Sequence, residues 1–160
     1  MLERIHTQAS AQRARVVLFD FDGTISLIRT GWVDVMVPIM VEVLAALKTG
    51  ESEEDLRSIV VEFVARLTGE QTIYQMIELA RQVELRGGKP LDPEAYKKIF
   101  QDRLMEKIEY RRVELRRGEV SPEKYLIPGT RALLDSLKAR GLKMYCASGT
   151  DHAYTTEETV

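Results

Sequence analysis

The feature that most constrains the fold is a short apolar run that ends in two closely spaced aspartates. The run Val16-Val17-Leu18-Phe19 is followed at once by Asp20-Phe21-Asp22-Gly23. A short, continuous apolar run bounded by a turn signal is typical of a strand buried on both faces, as in a parallel sheet. The sequence therefore predicts a buried parallel strand that runs into a tight turn carrying two carboxylates.

A second strand of the same kind is predicted over residues 142–147. It follows Gly141 and ends at Ser148-Gly149-Thr150, and the helix before it carries Leu133, Leu134 and Leu137. A strand, a helix and a second strand in this order predict a parallel pair in an α/β fold. Because ligands of such sheets bind at the carboxyl ends of the strands, we expect Asp20–Thr24 and Ser148–Thr150 to face one crevice.

Between the two strands the sequence is helical. Four stretches repeat apolar residues at helical spacing, and they begin near Trp32, Ser52, Ile73 and Asp92. Ser52 and Asp92 are predicted N-caps, and Pro38 is expected to kink the first helix. We therefore predict a partial α/β core domain over residues 1–25 and 126–160, with residues 26–125 inserted as a helical cap domain.

Charge and hydropathy argue against two classes of partner. The chain has 23 Lys and Arg against 25 Asp and Glu, so it carries no general basic field for nucleic acid. The arginines near residues 111–117 alternate with glutamates, which favours a solvated helix face over a nucleic-acid patch. The most apolar window, residues 32–47, contains Asp34, Pro38 and Glu42, and is too interrupted to span a membrane.

Cysteine usage indicates the compartment. Cys146 is the single cysteine and cannot form an internal disulfide, which favours a reducing, cytoplasmic location. The first fifteen residues lack the continuous apolar segment of a secretory signal. We interpret Cys146 as a small buried hydrophobe on the second strand rather than as a reactive thiol.

The two predicted turns have complementary chemistry. Asp20 and Asp22 alternate around Phe21, and two such close carboxylates favour Mg²⁺, a hard cation that prefers oxygen ligands. A carboxylate can also attack phosphorus while a neighbouring acid protonates the leaving oxygen. Gly23 permits close approach of a phosphate, and the hydroxyl and amides around Ser148 and Gly149 can bind phosphoryl oxygens.

A calcium-binding loop is the alternative interpretation of the first turn. Such loops require glycine at position six and glutamate at position twelve, and they lie between helices. Here the glycine comes at the fourth position, after a predicted strand. The pattern therefore favours phosphoryl chemistry over calcium binding.

The residues quoted above resemble two motifs of the haloacid dehalogenase superfamily. Leu18–Thr24 is similar to its first motif, a strand ending in Asp-x-Asp-Gly-Thr, and Met144–Gly149 is similar to its second. The intervening helices resemble the cap of the phosphoglycolate phosphatase and β-phosphoglucomutase-like branch. Asp22 points to phosphoryl transfer, because the dehalogenases of the superfamily lack an acid at that position.

The resemblance implies roles for these residues. Asp20 would be the nucleophile, Asp22 the general acid and base, and Ser148 the phosphate-binding hydroxyl. Mg²⁺ would be held by the Asp20 carboxylate and the Asp22 backbone carbonyl. The implied activity is a phosphatase that acts on a small phosphorylated metabolite through an aspartyl-phosphate, with a phosphomutase or a catalytically inactive binding module as alternatives.

The sequence also departs from the family pattern. The family's third motif supplies a lysine or arginine and its fourth an acidic pair, but residues 149–160 contain no Lys or Arg. Asp151 follows Ser148 too closely to lie on a later strand. We therefore expect a C-terminally truncated, impaired enzyme whose first strand has an exposed edge that favours self-association.

Overall fold

The fold is known from a computed structural model, which describes residues 13–149. Within this range the chain forms two strands, five helices and one short 3₁₀ turn. The elements are β1 (Val16–Asp20), α1 (Val33–Ala45), α2 (Glu53–Arg66), α3 (Thr72–Leu85), α4 (Pro93–Arg116), the 3₁₀ turn (Pro122–Tyr125), α5 (Thr130–Ala139) and β2 (Lys143–Ala147). The predicted α/β fold, with a partial core and a helical part, is confirmed.

The two strands form a parallel pair. Val16 lies opposite Lys143, and the register continues to Asp20 opposite Ala147. The prediction that the first strand is buried on both faces was wrong, because β1 alternates exposed and half-buried residues and Leu18 is 66% exposed. In the part of the chain that the structure describes, β1 pairs with β2 alone.

The described residues divide into two compact units. Residues 13–27 and 121–148 form the α/β unit, and residues 28–120 form the helical unit. The main apolar core lies in the helical unit, where α1 packs against α2, α3 and α4. Its largest fully buried side chains are Met36, Val37, Met40, Leu44, Leu56, Val60, Met76, Leu79, Val83 and Ile108.

Local signals in the sequence account for where the helices begin. The Ser52 hydroxyl accepts a hydrogen bond from the Asp55 amide at 3.1 Å, and the Asp92 carboxylate accepts one from the Glu94 amide at 2.8 Å. These bonds satisfy amides that the helix itself leaves unpaired. Both predicted N-caps are confirmed, while α1 continues through Pro38 as one helix.

Ion pairs cover the surface of the helical unit. On the stretch predicted to be a solvated helix face, Arg112 and Arg116 each lie 2.8 Å from a carboxylate oxygen of Glu109, and the Arg112 side chain is half-buried. Arg86 donates two 2.7 Å hydrogen bonds to Glu51 and, together with Thr49, lowers the pKa of Glu51 to about 2. Among residues 13–149 no helix is both long enough and apolar enough to cross a membrane.

Candidate active site

The first aspartate lies at the carboxyl end of β1. Asp20 is the last residue of the strand and is exposed, and its Oδ2 accepts a hydrogen bond from the Thr24 hydroxyl at 3.1 Å. The exposed carboxylate is accessible to a solute, and one of its two oxygens is already held by a neighbouring donor.

The turn after Asp20 is closed by its own backbone. The Phe21 carbonyl accepts hydrogen bonds from the amides of Thr24, Ile25 and Ser26 at 3.3, 2.9 and 2.9 Å. Gly23 has a φ of 79°, in the left-handed region that favours glycine, and no atom lies within 4 Å of where its Cβ would be. The backbone conformation, and not a lack of space, therefore explains glycine at this position.

A second segment anchors the turn. The Leu27 amide donates to the Tyr125 carbonyl at 2.7 Å, and the Ile127 amide donates to the Ile25 carbonyl at 3.0 Å. We call residues 125–127 the strap. The strap ends two residues before α5, so the segment that leads to β2 also holds the turn that follows β1. Sequence reasoning missed the strap, because main-chain hydrogen bonds leave no side-chain signature.

The other predicted site residues lie on the same turn or after β2. Asp22 follows the strand end and is half-buried. Ser148 and Gly149 are exposed and come directly after Ala147, the residue opposite Asp20. The parallel register therefore brings the ends of both strands to one edge of the sheet, while Thr150 falls outside the described residues.

A comparison with protein families identifies the family of the chain. A family model described as a haloacid dehalogenase-like hydrolase matches residues 14–158, a range that includes both turns. The chain belongs to this family. Searches of curated proteins and of solved structures found no match to this hydrolase.

The thiol of this hydrolase lies near the end of β2, one register position before the pair of Asp20 and Ala147. Cys146 lies opposite Phe19 and is exposed, so the prediction of a buried small hydrophobe was wrong. The two-stranded sheet does not cover it. Partial desolvation raises the pKa of the Cys146 thiol, and the negative charges of Asp20 and Asp22 raise it further.

The oxygen donors in the first turn of the hydrolase fit Mg²⁺ by their chemistry. Mg²⁺ prefers oxygen ligands and usually keeps several waters, so one carboxylate and one carbonyl from the protein are compatible with it. Residues 13–149 contain no group of three or more His, Cys, Asp or Glu side chains placed to hold a metal. Any Mg²⁺ held by these residues would therefore depend on water or substrate oxygens for most of its ligands.

Proposed function

We propose that this hydrolase is a Mg²⁺-dependent phosphatase of a small phosphorylated metabolite, with Asp20 as the nucleophile. The observation that carries the proposal is the parallel register, in which Asp20 lies opposite Ala147 and Ser148 follows directly. That register supports a shared role for a nucleophile on one strand end and phosphate-binding donors on the other. The single cysteine supports action in the cytoplasm.

The proposed reaction has two steps. A carboxylate oxygen of Asp20 bonds to phosphorus as the bond to the leaving oxygen breaks, and Asp22 gives its proton to that oxygen. Water then attacks the phosphorus of the aspartyl-phosphate, Asp22 takes a proton from the water, and the Asp20 carboxylate is released with phosphate.

The remaining residues of the site bind the phosphoryl group. Ser148 and the amides of Gly149 and Gly23 are proposed to donate hydrogen bonds to phosphoryl oxygens, which carry more charge in the transition state. The Asp20 carboxylate and the Asp22 carbonyl would hold Mg²⁺, which supplies positive charge beside the phosphoryl group. We expect slow turnover, below about one per second, because these residues supply few metal ligands.

Replacement of each aspartate tests the proposal. With Mg²⁺ and an aryl phosphate, Asp20→Asn should lower phosphate release by at least about 100-fold, since an amide is a poor nucleophile. Asp22→Asn should cost about 100-fold or more through loss of the general acid. Asp135→Asn, at an exposed aspartate on α5, is the control and should keep the original rate. Equal phosphate release by the unaltered chain and Asp20→Asn would contradict the proposal.

A catalytically inactive binding module is the second candidate. It is favoured by the small number of metal-ligating side chains brought together within residues 13–149. Such a module would bind a phosphorylated ligand without releasing phosphate, whether or not Mg²⁺ is present.

A phosphomutase, which shares the proposed nucleophile, would instead move the phosphoryl group to a second hydroxyl of the substrate. Analysis of the products distinguishes a phosphomutase from a phosphatase.

A further inference from the structure

We propose that Thr24 is a positioning residue for the nucleophile. Its hydroxyl donates to Oδ2 of Asp20 at 3.1 Å and thereby presents the other oxygen, Oδ1, for attack on phosphorus. The inference rests on the proposed function, because it assigns Thr24 a role in orienting the carboxylate that is proposed to react.

The backbone around Thr24 holds the hydroxyl in place. Gly23 turns the chain through a left-handed conformation, and the Phe21 carbonyl collects three amide hydrogen bonds from the residues that follow. The strap binds the next residues of the same segment, Ile25 and Leu27. The donor is therefore attached to a turn that is anchored on both sides.

An exposed carboxylate needs this kind of restraint. Its two oxygens are chemically equivalent, and its plane can rotate about the Cβ–Cγ bond. Attack on phosphorus requires one oxygen in line with the leaving group, so free rotation lowers the fraction of reactive conformers. A hydrogen bond to Oδ2 fixes the plane and reduces the basicity of that oxygen, which leaves Oδ1 as the better nucleophile. Thr24 is β-branched and stiff at χ1, so it holds its hydroxyl better than a flexible donor.

The experiment compares three variants with the original chain. Thr24→Val removes the hydroxyl but keeps the shape, and Thr24→Ser restores the hydroxyl. Thr49→Val is the matched control, because Thr49 also donates to a carboxylate, Oε2 of Glu51, but in the helical unit. Each chain is assayed for kcat and KM with an aryl phosphate and Mg²⁺. Each is also titrated with beryllofluoride, an acyl-phosphate mimic, and followed by ¹⁹F NMR.

A role of Thr24 in positioning Asp20 should change kcat and leave KM nearly unchanged. Thr24→Val should lower kcat by about tenfold, the effect of losing one hydrogen bond to a charged group, while KM changes by less than about twofold. The bound beryllofluoride signal should weaken in the same variant. Thr24→Ser should recover most of the kcat and most of the beryllofluoride signal. Thr49→Val should change neither the kcat nor the signal.

Two further outcomes would overturn the inference in distinguishable ways. If Thr24→Val keeps the original kcat and beryllofluoride signal while Asp20→Asn loses both, Thr24 does not position the nucleophile and the proposed function stands. If the original chain behaves like Asp20→Asn in both measurements, the proposed function fails and the role of Thr24 fails with it.

Discussion

At the scale of single residues, the pKa of the Cys146 thiol depends on the charges of the two aspartates. Partial burial raises its pKa first, followed by the charges of Asp20 and Asp22, so its thiolate is scarcer than that of an ordinary cysteine at neutral pH. Removing one carboxylate charge should lower the pKa and increase the thiolate fraction. We expect Asp20→Asn to speed alkylation of Cys146 by about twofold at pH 7.5, and Asp22→Asn by somewhat less.

Alkylation can be measured by mass spectrometry of the intact chain, because it has one cysteine. The rate of the original chain should keep rising as the pH passes the ordinary cysteine pKa of about 8.5, since the folded pKa is higher. Asp135→Asn is the control, because Asp135 does not contribute to the shift. Equal rates for the original chain and both aspartate variants would show that the carboxylates do not act on the thiol.

For these residues, the sequence predicted the features that depend on side chains and missed those that depend on main-chain bonds or on packing. The spacing of Asp20 and Asp22 after an apolar run was enough to predict a turn that carries two carboxylates. The strap at residues 125–127 was not predictable, because its bonds to Ile25 and Leu27 join main-chain groups. The exposure of Cys146 depends on whatever else packs on the sheet, which no local pattern encodes.

At the scale of elements, α3 shows how strongly one face of a helix is buried. Leu79 is 0% exposed in the core of the helical unit, whereas Leu85, at the end of the same helix, is 65% exposed. Leu79→Ala should therefore lower the free energy of unfolding by about 2–5 kcal/mol, through lost burial and the cavity left behind. Leu85→Ala should change it by less than about 0.5 kcal/mol.

Chemical denaturation followed by circular dichroism measures both values. Both variants replace Leu with Ala, and the helix propensities of these two residues differ little, so packing decides the result. A cost for Leu79→Ala no larger than that for Leu85→Ala would contradict the assignment of Leu79 to the core.

Helices were easier to predict than the surroundings of the strands for a physical reason. The caps at Ser52 and Asp92 act within three residues, so the local sequence determines where α2 and α4 begin. The burial of a strand depends on neighbours that are distant in sequence. The apolar run of β1 predicted the strand correctly but overestimated its burial, because burial requires partners on both of its edges and faces.

At the scale of the whole molecule, the sheet carries an uncovered apolar face. Paired residues of parallel strands point to the same side, so Leu18 shares this face with its register partner Tyr145, and they are 66% and 55% exposed. Val16, also exposed, lies on the same side two residues earlier. Asp20 stands at one end of this face and Lys143 at the other, so two antiparallel copies would bring opposite charges together.

We therefore expect the chain to self-associate through this sheet, with an apparent mass that rises with concentration in sedimentation velocity. Leu18→Lys should reduce the association, because a lysine there places a charge in the apolar contact. Leu85→Lys is the matched control, since it replaces a leucine of nearly equal exposure, 65%, in the helical unit. A concentration-independent monomer, or an equal loss of association in both variants, would show that this sheet face is not where copies of the chain meet.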